Sequence, residues 1–245
     1  QKPFLKWVGG KTQLLSHILP LIPTEINNYH EIFLGGGSVL FSVLTLLKNN
    51  KIKIKRKIYA YDINPHLIQL YNHIKTSPNE LYNKISHLQK EYHNSGTDFT
   101  EINRKPADIS QATLNKENYY YWVRKLFNHN IKNDISDLNT SAYFLFLNKT
   151  GFRGLYREGP NGYNVPYGHY KKTPTIITKE QILTIHQLIQ PVIFKCSSFE
   201  ESLKNIKKND FIYLDPPYVP ENINSFVGYN SVGFTIDKHK ELFNK

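Results

Sequence analysis

Apolar and polar positions alternate along this chain in two rhythms. Short β-branched and aromatic runs that end in turn or acidic residues predict buried parallel strands at residues 29–34, 58–61, 192–195 and 211–214. Between them, apolar residues recur at helical spacing over residues 12–21, 38–47, 65–74, 179–189 and 199–206. Strands alternating with helices in this way fold as α/β, with an open, doubly wound sheet. From residue 78 to residue 178 the alternation stops. Helical patterns at 80–92, 117–129 and 141–148 surround a polar segment, 94–115, that is expected to be mobile. An insertion of roughly a hundred residues is too long for an ordinary loop. The pattern therefore divides the chain into residues 1–77, an inserted and mainly helical subdomain 78–178, and residues 179–245.

Composition narrows the classes of function. Lys+Arg outnumber Asp+Glu by 31 to 20, a formal charge of +11, which favours a polyanionic partner such as nucleic acid. The one cysteine, Cys196, excludes an intrachain disulfide and a Cys-based zinc site, and it fits a reducing, cytoplasmic compartment. The ten histidines form no HExxH pattern, so no metal is expected. The most apolar segment, residues 39–47, is too short to cross a bilayer, so no membrane partner is expected. Six basic residues lie between Lys48 and Lys57, and most such runs are solvated faces.

Chemistry concentrates in five places. The last predicted strand delivers Phe211-Ile-Tyr-Leu-Asp215-Pro216-Pro217-Tyr218 to the carboxyl edge of the sheet, where ligands bind in open α/β folds. The prolines fix φ and lack N–H groups, so the turn holds its acceptors with little freedom. The same turn also occurs for structural reasons alone. Phe33-Leu-Gly35-Gly36-Gly37-Ser38 ends the first strand and opens a helix, where backbone amides can approach a carboxylate. Leu40 stands where a dinucleotide fingerprint needs its third glycine, which argues against NAD. Asp62, at the end of the second strand, is placed to accept from ribose hydroxyls, or to cap the helix that starts at Pro65.

Phe4-Leu-Lys6-Trp7-Val-Gly9-Gly10-Lys11-Thr12 contains the tail of a phosphate-binding P-loop, but Leu5 occupies the first glycine position and no buried strand can precede it. Residues 148–168 carry paired apolar arms about Gly159-Pro160-Asn161-Gly162, the signature of a β-hairpin, with arginines and aromatics interleaved. A two-stranded ribbon fits the major groove, where Arg reads guanine bidentately. The aromatic run 119–127 has helical spacing and reads as subdomain core.

Taken in order, the Trp/Gly-Gly-Lys motif, the glycine turn, the insertion with its hairpin and Asp-Pro-Pro-Tyr resemble the Dam-like (D12, alpha-class) DNA adenine-N6 methyltransferases over nearly the whole chain. The resemblance implies a Rossmann-like methyltransferase sheet with an inserted target-recognition subdomain, S-adenosylmethionine as methyl donor and double-stranded DNA as partner. It also implies a flipped adenine as target, with GATC as a candidate sequence, and a restriction endonuclease as a candidate companion. Asp215, Pro216 and Tyr218 would then be catalytic. Trp7, Lys11, Phe33, Gly35, Gly37, Asp62, Phe199 and Asp215 would surround the donor, with Lys11 pairing to its methionine carboxylate. Lys6, Arg153, Leu155, Arg157, Asn164 and Pro166 would meet the DNA. One departure is Ser198, which stands where the family usually has Asp beside the donor's adenine. The family's sheet usually continues beyond Tyr218, implying a longer polypeptide than 1–245. A P-loop ATPase, with Gly10-Lys11-Thr12 on phosphate and Asp215 on a metal, and a catalytically silent DNA-binding module remain as alternatives.

Overall fold

The computed structural model describes residues 2–96, 101–218 and 234–244. The chain opens with 3-10 turns at Thr12–Leu14 and Leu19–Leu21 around a single helical turn, α1 (Leu15–Ile18). One continuous helix was expected over 12–21. Pro20 interrupts it because it has no N–H to donate into the ladder. A short parallel pair, β1 (Glu25–Ile26) with β3 (Lys53–Ile54), flanks β2 (Tyr29–Glu31), the helix α2 (Ser38–Lys48) and β4 (Ile58–Asp62).

Helices α3 (Pro65–Thr76) and α4 (Pro78–Asn94) follow, then α5 (Ile109–Ala112), α6 (Lys116–Lys132) and α7 (Leu138–Thr150). The hairpin strands β5 (Glu158–Gly159) and β6 (Gly162–Tyr163) precede α8 (Lys179–Leu188), β7 (Val192–Cys196), α9 (Phe199–Leu203), β8 (Phe211–Tyr213) and α10 (Ile236–Phe243). Residues 97–100, within the polar segment expected to be mobile, lie outside the described residues.

The central sheet has the order β7-β4-β2-β8, and every pairing is parallel. This is the predicted set of four strands in an α/β fold. Tyr29 pairs in register with Ile58 on one side and Phe211 on the other, and Asp62 pairs with Cys196. All three residues of β2 are buried, as a central strand covered on both faces requires. At the amino edge Asp210 ties β2 to β8: one carboxylate oxygen accepts from Asn28 Nδ2 at 2.8 Å, and the other contacts His30 at 3.2 Å.

The insertion shares its core with the sheet. Helix α7 is buried nearly all round, Thr140, Ser141, Asn148 and Thr150 included, and it packs against α3 as well as α4 and α6. One cluster of buried side chains runs from Phe4, Leu40 and Tyr71 to Tyr119, Phe146 and Tyr163. A second, smaller cluster of Ile32, Tyr61, Phe199 and Leu242 covers the other face of the sheet. No helix among the described residues is long and apolar enough to cross a membrane.

Candidate active site

The strand predicted at 29–34 is regular to Glu31, and Ile32 N and Leu34 N still donate to Tyr213 O and Tyr61 O before the chain turns. Gly35 (φ +49°) and Gly37 (φ +70°) are left-handed, a conformation that a Cβ disfavours, and Gly37 caps α2. Contact explains the same glycines. A Cβ on Gly35 would stand 2.8 Å from the Trp7 indole, and one on Gly37 would stand 2.7 Å from the Tyr71 hydroxyl. The turn and the amino-terminal motif are therefore packed backbone against ring.

Asp62 closes this turn from the next strand. One oxygen accepts from Gly35 N and the other from Asn64 N, both at 2.9 Å. Burial raises the Asp62 carboxyl above its ordinary value, and the amides of Asn64, Gly35 and Ile63 oppose that rise. The helix cap is Asn64, whose side chain accepts from Leu67 N. Asp62 thus orients the glycine turn and the start of α3 without itself capping it.

Asp215 lies two residues beyond β8. Its Oδ2 is 2.7 Å from Lys11 Nζ, which also donates to Gly9 O at 2.7 Å and lies 5.0 Å from the centre of the Tyr218 ring. Lys11 N donates to Ser38 Oγ at 3.2 Å, so the same residue touches the glycine-turn helix. Burial acts to lower the Lys11 ammonium, but Asp215 and Tyr218 outweigh it and hold it above the usual range. The sequence assigned Lys11 to a donor carboxylate; the structure brings it to the catalytic candidate Asp215. Gly10-Lys11-Thr12 leads into a three-residue 3-10 turn, Thr12–Leu14, in place of the helix that a P-loop opens.

Glu31, on β2, escaped the sequence reading. It is 2 % exposed and accepts from Tyr29 Oη at 2.7 Å. Burial pushes its carboxyl up to about 8, against the Tyr29 hydroxyl and with the Asp215 carboxylate. The signal was available: an acid inside a run otherwise suited to a buried strand is rare without a task or a partner.

Phe33 and Phe199 bring their ring centres to 6.1 Å, and both pack on Phe234. Ser198, the departure from the family pattern, caps α9 by accepting from Glu201 N. Cys196 is exposed at the end of β7, with β4 and β2 standing between it and β8. Among the described residues no group of three or more His, Cys, Asp or Glu could hold a metal.

The hairpin forms as predicted, with Glu158 opposite Tyr163 and Gly159 opposite Gly162 about the Pro160-Asn161 loop. Its root is held by Phe152 N to Pro166 O at 2.9 Å and by a bridge between Gly151 and Tyr167. Arg153 sits at φ +54° with its guanidinium 5.1 Å from the Phe152 ring and its side chain exposed. Arg157 bonds Asn164 across the strands, Nε to Oδ1 at 2.5 Å, so two of the DNA candidates brace each other. Asn164 and Pro166 are exposed, and Leu155 is half-buried. The Lys6 ammonium is engaged within the protein: it donates to Lys149 O at 3.0 Å and lies 3.9 Å from the Tyr170 ring. The basic run from Lys48 to Lys57 belongs to the opposite, amino edge of the sheet, where Lys57 O accepts from Tyr29 N.

Comparison with known proteins finds relatives along nearly the whole chain. The chain is 37 % identical to a type II methyltransferase, M.MjaIII, of Methanocaldococcus jannaschii, over 98 % of its own length and 78 % of that protein's. It is 31 % identical to the type II methyltransferase M1.LlaDCHI of Lactococcus lactis subsp. cremoris (98 % and 74 % covered) and 32 % identical to a DNA adenine methylase of Vibrio cholerae (99 % and 74 %). Residues 7–245 match the family profile described as D12 class N6 adenine-specific DNA methyltransferase. With the Lys11–Asp215 pair joining the family's first and last motifs on one sheet edge, the chain belongs to the D12 class of N6 adenine-specific DNA methyltransferases.

Proposed function

We propose that this methyltransferase uses S-adenosylmethionine and acts on an adenine rotated out of double-stranded DNA. The observation that carries the reading is the convergence of Asp215, Lys11 and the glycine turn: Lys11 bonds Asp215 through its ammonium and Ser38 through its backbone. The residues present fit the donor. Half-buried Asp62 has acceptor capacity left for ribose hydroxyls, the Phe33 and Phe199 rings form an apolar wall for adenine, and Trp7 lines the turn whose glycines leave room for no side chain. When bound, S-adenosylmethionine supplies a methyl on a positively charged sulfur.

The protein's own residues prepare the acceptor. An exocyclic adenine amine is a poor nucleophile because its lone pair is delocalised into the ring. Asp215 and the carbonyl of Pro216 accept its two N–H groups and favour the tetrahedral geometry needed for attack. Tyr218, 63 % exposed, offers a face on which the extruded base stacks, worth about 1 to 3 kcal/mol. Lys11 bonds Asp215 through Oδ2, and the carboxylate has a second oxygen with which to accept from the amine. Transfer is direct and in line, with no covalent enzyme adduct, and Cys196 stands at the far strand of the sheet.

Arg153, Leu155, Arg157, Asn164 and Pro166 line the DNA-facing side of the hairpin, with Lys6 at its root. Residues 1–77 and 179–245 form the catalytic halves, and 78–178 the recognition part. The setting is intracellular, and a companion endonuclease fits the type II relatives.

The test is transfer of labelled methyl from S-adenosylmethionine to duplex DNA, followed by nucleoside analysis. N6-methyl-2′-deoxyadenosine is the expected product, and label on cytosine or on protein alone rejects the reading. Plasmid methylated in this way should resist a GATC endonuclease that adenine methylation blocks; continued cutting rejects GATC while leaving adenine as target.

A further inference from the structure

Where α7 ends, one buried amide holds two parts of the molecule together. Asn148, 4 % exposed, accepts from Lys6 N at 3.0 Å through Oδ1. Through Nδ2 it donates to Lys6 O at 2.7 Å and to Gly154 O at 3.2 Å. A side-chain amide offers one acceptor and two donor hydrogens, and here both functions pair with backbone. With residue 6 it makes the reciprocal pair of bonds that a neighbouring strand would make. Its third bond grips the residue that follows Arg153.

The fit around these bonds leaves no slack. Gly154 has φ +67°, and a Cβ on it would lie 2.2 Å from Lys6 Cβ. Lys6 adds a bond of its own to Lys149 O. The next residue, Trp7, lies against Gly35 and Gly36 and stacks on Tyr156 of the hairpin root at 6.5 Å between ring centres. Residues 6 and 7 are thus clamped between the hairpin and the glycine turn. The contacts of Trp7 with the glycine turn, of Lys6 with Asn148 and of Asn148 with Gly154 form a continuous route from that turn to the arginine beside Gly154.

We propose that Asn148 is a positioning residue that couples the donor site to the recognition hairpin, so that occupation of either changes the affinity of the other. The proposal rests on the reading that the glycine turn holds S-adenosylmethionine and the hairpin meets DNA. Coupling of this kind is reciprocal and is measured as a ratio of affinities, commonly 5- to 150-fold. A buried asparagine that merely satisfies backbone groups would lower stability or both affinities and leave that ratio alone.

The experiment uses the full chain and sinefungin, a non-transferring donor analogue. Dissociation constants are measured for a duplex oligonucleotide with and without saturating sinefungin, and for sinefungin with and without DNA. In the wild type the two ratios should agree and exceed about 5-fold. Asn148→Ala should keep each single-ligand affinity within about 3-fold while both ratios fall toward one. Asn148→Asp retains the acceptor for Lys6 N and loses both donated bonds; it should show the same loss of coupling, and it serves if the alanine variant does not fold. A wild-type ratio near one overturns the proposal, as does an unchanged ratio in whichever variant folds. Failure of the underlying reading looks different: Asp62→Ala would leave sinefungin affinity intact, or Arg157→Ala would leave DNA recognition intact, whatever Asn148 does.

Discussion

At the scale of the residue, two carboxyls close to one another serve opposite purposes. Asp215 pairs with Lys11, which also lies 5.0 Å from the Tyr218 ring, and in the proposed function its oxygens accept from the adenine amine. Asp215→Ala should slow single-turnover transfer by roughly 10²- to 10³-fold, the usual effect of removing one preorganised partner of a transition state, and leave sinefungin binding measurable by calorimetry. Full turnover would show that another group polarises the amine. Glu31 instead keeps its proton because it is buried, with its pKa near 8. Unfolded, it ionises from about 4.5. Its contribution to stability is therefore complete below that value and is lost as pH rises toward 8, at up to about 1.4 kcal/mol per pH unit. Glu31→Gln keeps an acceptor for Tyr29 and removes the titration. Relative to wild type, the variant should gain stability steadily from pH 5 to pH 8 in denaturant unfolding. Parallel curves would mean that Glu31 ionises in the folded protein as it does in the unfolded chain.

At the scale of the element, the strand cores were readable because apolar residues such as Tyr29, Ile58, Val192 and Phe194 are buried in them, whereas their ends were not. The pattern carries the first strand to Leu34; the regular ladder ends at Glu31, but Ile32 N and Leu34 N still donate to Tyr213 O and Tyr61 O before the left-handed Gly35 and Gly37 bend the chain. The helix predicted over 199–206 stops at Leu203, since Asn205 and Ile206 bond three residues back and tighten into turns. The hairpin was legible from its Gly-Pro-Asn-Gly turn, but the brace between Arg157 and Asn164 was not, because periodicity does not say which side chains meet across a loop. That brace holds the guanidinium in one orientation, a requirement for bidentate reading of a base. Arg157→Ala should therefore relax discrimination at one base pair by about 1 to 3 kcal/mol, measured as kcat/KM over oligonucleotides substituted singly around the target adenine. An equal loss on every sequence would assign Arg157 to phosphate instead.

At the scale of the whole molecule, the sequence placed the motifs in order but could not say that Lys11 meets Asp215 or that Asn148 clasps Lys6, since such pairs join residues 204 and 142 positions apart through tertiary packing rather than by any local pattern. Charge is the property that belongs to no single element. Of the basic groups, Lys6 is engaged internally and the run from Lys48 to Lys57 lies at the edge opposite Asp62 and Asp215. The net +11 therefore overstates what one face can offer DNA. Arg104, Lys105, Arg124 and Lys125 gather at a cavity of about 350 Å³ beside α6, on the hairpin side, where Arg124 bonds Val165 O. Affinity for duplex DNA should fall linearly in log–log form with salt, each neutralised phosphate contributing a slope of about −0.9. If the hairpin side alone makes contact, the slope should correspond to roughly 6 to 10 phosphates, a loss of about 10³- to 10⁵-fold between 50 and 200 mM salt. Replacing Lys51, Lys53 and Lys57 together by Gln should then leave the slope unchanged in titrations by fluorescence anisotropy. A slope lowered by about three on that replacement would mean that DNA wraps to the amino edge of the sheet.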